Sequence, residues 1–132
     1  MHRRTLLAAG AAFTLVPATA AQANMIEYQP GTAEAAINAC QTVLLDFAAI
    51  WCSTCRTQER VLTNLRNGNP AYDQSIAFYR VDWDAYGGGS LVQQLGIPRR
   101  STLVLFRGGQ EVGRLVAETR QTQIEAFLNA GL

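Results

Sequence analysis

The sequence predicts one α/β domain in which helices cover both faces of a central mixed β-sheet. Of its 132 residues, 48% are hydrophobic and 16% are charged, which suits one packed core and leaves no room for a second. Short apolar runs alternate with segments of helical periodicity, a pattern that favours strands joined by helices. The last two apolar runs are separated by a glycine-containing turn, which adds an antiparallel pair.

The first half of the chain predicts a helix, a strand and a second helix. Residues 32–40 are rich in alanine and follow a Pro-Gly pair, which indicates a helix start. Residues 43–48 form a short, mostly apolar run, as expected of a strand buried on both faces. Apolar residues at helical spacing predict a helix over 55–66, and the Asn-Gly-Asn-Pro sequence at 67–70 ends it.

The second half continues with a strand over 76–81 and a flexible glycine-rich turn at 86–89. Ser90 can cap a short helix that follows this turn, over 91–95.

The chain ends in a predicted hairpin and helix. Residues 102–106 and 111–116 are the paired strands, and the Arg-Gly-Gly-Gln sequence between them is the turn. A last helix is predicted over 122–130. A βαβ half is thus followed by a ββα half.

The amino-terminal segment, residues 1–23, predicts a cleaved signal peptide. It has a basic start, an apolar run over 5–16 and small residues ending in Ala-Gln-Ala. An uncleaved anchor is the alternative, although the run is shorter than the roughly 20 residues that cross a bilayer. Arg3 and Arg4 resemble a twin-arginine signal, and ordinary Sec export is equally compatible. We therefore expect the mature domain, residues 24–132, to be exported to the bacterial periplasm.

Composition excludes several kinds of chemistry. His2 is the only histidine and lies in the predicted signal peptide, so the mature chain would lack Ser-His and Cys-His pairs and imidazole metal ligands. All eleven basic residues are arginine, which excludes lysine Schiff bases. The net charge of +1 gives no indication of a nucleic-acid partner or a polybasic membrane patch. Cysteine and carboxylate chemistry remain.

The Cys52-Ser-Thr-Cys55 motif lies where the strand over 43–48 passes into the following helix. The unpaired amides and the dipole at a helix N-terminus stabilise a thiolate and lower its pKa below the free value of about 8.5. Cys52 is the predicted nucleophile. Cys55, one turn inside the helix, is the predicted resolving thiol that attacks a mixed disulfide. The pair would alternate between a dithiol and a redox-active disulfide.

Two other readings of the motif are weaker. Half of a zinc site has this spacing, but only Cys40 remains as a further thiol, and a closed site would need a carboxylate or a second chain. A structural disulfide over so short a loop would constrain the unfolded chain little. Cys40 itself is expected to be a small buried thiol late in the first helix. No metal or organic cofactor is predicted.

These residues resemble the thioredoxin family over nearly all of residues 25–132. The family's strand and active-site run matches 43–55, its hairpin matches 102–116 and its last helix matches 124–128. The resemblance implies a thioredoxin-like fold and thiol-disulfide exchange with protein thiols and disulfides as partners. We also expect the protein to be a monomer.

The resemblance implies roles for residues beside the motif. Asp46 matches the family's buried acid, whose pKa burial should raise and which would exchange a proton with the resolving thiol. A strand-end acid bonded to backbone groups is the alternative. Arg80 matches a family lysine near that acid and could hold Asp46 ionised, or could be a surface arginine. Trp51 matches an aromatic residue that shields the nucleophile, with simple packing as the alternative.

The chain departs from the family at Ser101, which stands where the family has a cis-proline that helps to align the substrate. A cis bond before a residue other than proline costs about 2.5 to 4 kcal/mol, so we expect a trans Arg100–Ser101 peptide. Ser101 could donate a hydrogen bond to a thiolate or leave space for a metal ion. Another register would make Pro98 the active-site proline. Ser101 and Thr102, together with Trp51, are the predicted substrate-binding residues.

The leading functional hypothesis is disulfide exchange with exported proteins, as a reductase or as an electron relay fed by a membrane electron-donor protein. A module that binds or delivers metal is the alternative, holding Cu(I) in one chain or a cluster between two chains. A binding domain that retains the motif without turnover is a third.

Overall fold

The structure is a computed structural model that describes Gly10 and residues 25–132. Apart from Gly10, the predicted signal peptide lies outside the described residues. None of the helices described here has the length and apolar character needed to span a bilayer. The described residues form these elements in chain order: β1 (Ile26–Glu27), α1 (Thr32–Asn38), β2 (Val43–Ala48), α2 (Ser53–Gly68), α3 (Ala71–Ser75), β3 (Ala77–Asp82), α4 (Trp83–Tyr86), α5 (Ser90–Leu95), β4 (Thr102–Arg107), β5 (Gln110–Val116) and α6 (Gln121–Asn129).

The strands form one mixed sheet in the order β1-β3-β2-β4-β5. The first three in this order run parallel, whereas β4 is antiparallel to β2 and β5 is antiparallel to β4. Every residue of β2 is buried, as its apolar run predicts. The predicted α/β class with a mixed sheet is therefore confirmed, and its central strand leads directly into the cysteine motif.

Two apolar clusters fill the space between the sheet and the helices. On one face, α1 and α5 pack on alternate residues of the strands, among them Leu45 and Phe47. On the other face, α2, α3 and α6 pack against a second set that includes Leu44 and Leu105. Side chains of a strand alternate between the two faces, so both faces of β2 are covered by helices.

The hairpin depends on its two glycines. Gly108 and Gly109 both have positive φ, at 60° and 79°, as required by the two-residue turn that joins β4 to β5. Side chains are rarely found in this conformation, so the Gly-Gly pair specifies the turn.

Three short elements escaped the sequence analysis, namely β1, α3 and α4. Each has five residues or fewer, too few to display a periodicity. The helix α4 also occupies the start of the expected flexible turn at 86–89. Its N-terminus is capped by Asp82, whose carboxylate accepts from the Asp84 N–H at 3.1 Å.

The prediction for Cys40 is wrong. Helix α1 ends at Asn38, and Cys40 lies beyond it as an exposed residue with φ of 61°. Its N–H bonds to the Ile37 carbonyl at 3.0 Å, so the alanine-rich segment ends in a left-handed turn. Cys40 is therefore separate from the core and belongs to a surface turn.

Candidate active site

Cys52 is the N-cap residue of α2. Its backbone is extended, with φ of −88° and ψ of 114°, and its sulfur accepts from the Cys55 N–H at 3.2 Å. In most helices a serine, threonine, aspartate or asparagine oxygen satisfies such an amide. Here the sulfur of Cys52, the predicted nucleophile, has that role at the positive end of a 16-residue helix.

The Ser101 hydroxyl contacts both thiols. Its Oγ lies 3.2 Å from the Cys52 Sγ and 3.1 Å from the Cys55 Sγ. The exposed fraction is 4% for Cys52, 1% for Cys55 and 0% for Ser101, and both cysteines are reduced. A proline at this position would have no donor to offer, so this contact is specific to the serine.

The backbone of Ser101 is tied into the fold. The Arg100–Ser101 peptide is trans, as predicted, and Ser101 has a left-handed φ of 63°. Its N–H donates to the Phe47 carbonyl at 2.7 Å, and its carbonyl accepts from the Ala117 N–H at 2.8 Å. The N–H and the carbonyl of Ser101 are therefore both hydrogen-bonded within the protein.

Thr102, the third predicted substrate-binding residue, is also fully buried. Its hydroxyl donates to the Arg99 carbonyl at 2.7 Å. In the reduced protein the Thr102 side chain thus supports the turn before β4, and Trp51 is the predicted substrate contact that is open to solvent.

Cys52 is the more acidic of the two thiols. Burial opposes its ionisation, but hydrogen bonds from the Cys55 thiol, Ser101, the Cys55 N–H and Arg100 together lower the pKa of Cys52 to about 6. The pKa of Cys55 is raised, first by burial and then by its interaction with Cys52. At neutral pH the site therefore pairs a thiolate at Cys52 with a thiol at Cys55.

The rate of Cys52 alkylation by iodoacetamide should rise with pH with a midpoint near 6, since the thiolate is the reacting form. Replacing Ser101 with alanine should move this midpoint upward by about one unit, because a donor to the thiolate is lost. Both measurements use a Cys40→Ser background to remove the exposed thiol. An unchanged midpoint in Ser101→Ala would contradict the role of the hydroxyl.

Asp46 is buried under the motif. It has no exposed surface, and neither carboxylate oxygen has a hydrogen-bond partner. Burial, followed by the charge of Glu59, raises its pKa from the usual 3.8 to about 8. The alternative of an acid satisfied by backbone groups does not describe this residue, which is largely protonated at neutral pH.

Arg80 is beside Asp46 in the sheet register, on the neighbouring strand β3. Its guanidinium is bonded to Glu59, with Nε 2.9 Å from Oε1, and is 15% exposed. The positive charge of Arg80 lowers the pKa of Asp46, but burial and Glu59 outweigh it. Arg80 therefore pairs with an acid of α2, and Asp46 is left protonated.

An exposed apolar surface borders Cys52. Ile50 is 71% exposed and Trp51 is 54% exposed. The Trp51 indole N–H donates to the Asp84 carboxylate at 3.0 Å, and the Arg100 guanidinium stacks over its ring at 4.4 Å. These two contacts orient the indole at the edge of the site while leaving one part of it open.

Gln58, Glu59 and Asp84 were missed as site residues. Gln58 lies on the buried face of α2 with Leu62 and Leu65, where a polar residue interrupts an apolar stripe. That interruption is visible in the sequence. Within residues 25–132 and Gly10, no group of three or more histidine, cysteine or acidic side chains is placed to hold a metal ion.

Comparison with known proteins agrees with this geometry. The family model Thioredoxin matches residues 24–130. Thioredoxin of Alicyclobacillus acidocaldarius is 34% identical over 93 residues, which span 70% of this chain and 84% of that protein. Thioredoxin of Chlamydia caviae is 35% identical over 87 residues, or 66% of this chain and 79% of its own.

Solved structures agree as well. Trxlp from Edwardsiella tarda has a TM-score of 0.68 and 34% identity, covering 78% of this chain and 97% of its own. Thioredoxin of Malassezia sympodialis, at 22% identity and a TM-score of 0.64 over 82% of this chain and 94% of its own, shows the same fold. With its CxxC dithiol at the start of α2, this chain belongs to the thioredoxin family and is a thiol-disulfide oxidoreductase.

Proposed function

We propose that the protein exchanges disulfides with exported proteins in the bacterial periplasm, as a reductase or an electron relay. The observation that carries the proposal is the reduced pair itself. The Cys52 sulfur caps α2 with its pKa lowered to about 6, and the Cys55 thiol shares the Ser101 hydroxyl with it. A nucleophile and its resolving thiol are thus held against the same hydroxyl group.

The chemistry proceeds in two exchanges. The Cys52 thiolate attacks a substrate disulfide, forming a mixed disulfide and releasing one substrate sulfur as a thiolate. The Cys55 thiol loses its proton and attacks the Cys52 sulfur, forming the Cys52–Cys55 disulfide and releasing the second substrate sulfur. Two electrons pass from the dithiol to the substrate, and an electron donor must restore the dithiol.

Asp46 is suited to accept the proton of Cys55. The charge of Cys52 is one of the causes that raise the pKa of Asp46. That charge disappears when Cys52 enters the mixed disulfide, so the pKa of Asp46 falls and its carboxyl group can release its proton to solvent before the step that needs a base. Asp46 and Cys55 share no direct hydrogen bond in the reduced protein, so a water molecule or a side-chain rotation must connect them.

The acidity of Cys52 supports electron flow from this protein to its substrate. A very acidic thiol stabilises the reduced form and makes a strong oxidant, as in DsbA with a pKa of about 3.5, whereas that of thioredoxin is about 7. A pKa of about 6 for Cys52 is nearer to the reductant. We therefore favour a protein that donates electrons.

Protein substrates are supported by the surface of Ile50 and Trp51, which offers an extended segment an apolar contact beside Cys52. The periplasmic location is supported by the signal-peptide pattern of residues 1–23. A membrane protein as electron donor fits that compartment, and we propose that the enzyme works as a monomer.

A trapping variant tests the proposal. Full-length Cys55→Ser, produced in a Gram-negative host, should accumulate mixed disulfides through Cys52 because the second exchange is blocked. These adducts should occur in the periplasmic fraction and disappear on treatment with dithiothreitol. Both variants carry Cys40→Ser, which removes the exposed thiol of the surface turn. Cys52→Ser/Cys55→Ser is the matched control and should trap nothing. Adducts confined to the cytoplasm, or no difference between the two variants, would contradict the proposal.

The metal alternative has less support, because within the described residues no third thiol, imidazole or carboxylate joins the Cys52 and Cys55 thiols to complete a metal site. Protein purified with stoichiometric copper or iron, and with negligible disulfide turnover, would reverse the preference for exchange.

A further inference from the structure

Gln58 connects the helix of the cysteine motif to Ser101. It lies one turn after Cys55 on α2 and has no exposed surface. Its Nε2 donates to the Ser101 carbonyl and to the Glu118 carbonyl, each at 3.0 Å. Both amide hydrogens are therefore used to tie α2 to the segments before β4 and after β5.

The orientation of this amide follows from its partners. Reversing it would place Oε1 against two carbonyl oxygens and leave both donors unsatisfied. In the observed orientation Oε1 is buried without a hydrogen-bond partner, which costs stability. An apolar residue, like the neighbouring Leu62, would avoid that cost, so a glutamine at this position points to a role other than core packing.

Ser101 needs such support. Its left-handed φ of 63° is unfavourable for a residue with a side chain, and it persists only where the surroundings hold it. Three hydrogen bonds to its peptide groups do so, from Ser101 to Phe47 and from Ala117 and Gln58 to Ser101. Of the three, only the bond from Gln58 comes from a side chain, and it comes from the helix that also contains Cys55.

We propose that Gln58 is a positioning residue that controls the acidity of Cys52 through Ser101. By holding the Ser101 carbonyl, it fixes the hydroxyl at 3.2 Å from the Cys52 sulfur and 3.1 Å from the Cys55 sulfur. Without this bond the segment relaxes and the thiolate loses part of its stabilisation. The inference rests on the thiol chemistry of the site, whatever the compartment or the direction of electron flow.

The test measures the alkylation rate of Cys52 against pH in the Cys40→Ser background. Gln58→Met keeps the length of the side chain and removes the donor, and Gln58→Leu is a second variant should Met fail to fold. We expect the midpoint to rise by about one unit, so that the rate at pH 6 falls about fivefold. Because Gln58 acts through Ser101, Gln58→Met/Ser101→Ala should show no more shift than Ser101→Ala alone.

Leu62→Ala is the control for loss of stability, since it truncates a core residue one turn further along α2. It should lower the melting temperature and leave the Cys52 midpoint unchanged. The inference is overturned if folded Gln58→Met and Gln58→Leu keep the wild-type midpoint, or if their shifts add to that of Ser101→Ala. Disulfide turnover of the wild type, measured in the same background, reports on the exchange activity separately.

Discussion

Replacing Cys52 with serine is expected to lower disulfide turnover at least about a thousandfold, to the level of the uncatalysed exchange. The serine hydroxyl remains protonated at neutral pH, whereas the Cys52 thiol, with its pKa of about 6, is mostly ionised. Serine also cannot form the mixed disulfide. The measurement is steady-state reduction of a protein disulfide such as insulin, with dithiothreitol as the electron source.

Cys40→Ser is the matched control, because this cysteine is exposed in a surface turn outside the site. It should retain wild-type turnover. Serine is a good N-cap residue, so Cys52→Ser should also keep α2 intact and melt within a few degrees of the wild type. Residual turnover within tenfold of the wild type would show that the exchange starts at another sulfur.

Replacing Asp46 with asparagine is expected to stabilise the protein at alkaline pH, by up to about 6 kcal/mol. The pKa of Asp46 is raised from the usual 3.8 to about 8, and each unit corresponds to about 1.4 kcal/mol. An acid with a raised pKa binds its proton more tightly in the folded state. Its contribution to stability is therefore present below about pH 4 and is lost as the pH rises to about 8.

Urea unfolding from pH 4 to pH 8.5 checks this expectation. The free-energy difference between Asp46→Asn and the wild type should be near zero at pH 4 and largest above pH 8. Comparing the two proteins cancels the opposite contribution of Cys52, whose lowered pKa stabilises the fold as the pH rises. Glu125→Gln, which changes an exposed acid of α6, should follow the wild type. A variant less stable than the wild type at pH 8.5 would contradict the buried, protonated acid.

The more stable Asp46→Asn variant should be less active than the wild type. Asparagine cannot accept the proton of Cys55, so the second exchange would slow while the first, which depends on Cys52, continues. A destabilising group retained in a core is typical of sites where function opposes stability.

The larger elements of the fold follow from local patterns in the sequence. The run over 43–48 coincides with β2, and the Gly-Gly pair at 108–109 specifies the hairpin turn. Elements of two to five residues were missed because they depend on tertiary contacts. The two strand residues of β1, for example, are defined by their pairing with β3. The misplacement of Cys40 has the same cause, since composition indicates a helix without giving its last residue.

The candidate site was predicted where chemistry is local and missed where it depends on approach in space. Cys52 and Cys55 follow from their spacing and position. The bonds from Gln58 to Ser101 and from Arg80 to Glu59 join residues 43 and 21 positions apart, so no local pattern indicates them. Arg80 is in register with Asp46 on the neighbouring strand, yet its guanidinium is bonded to Glu59 of α2, a pairing that only the tertiary structure reveals.

The Cys52 sulfur, which caps α2, links the stability of the helix N-terminus to the redox state of the cysteine pair. In the dithiol, negative charge on Cys52 meets the partial positive charge of the helix start and the Cys55 N–H. In the disulfide that charge is absent, and a neutral sulfur is a poorer acceptor. The N-cap hydrogen bond of α2 is thus stronger in the dithiol than in the disulfide. Because it favours the dithiol, this backbone contact helps to set the reduction potential of the cysteine pair.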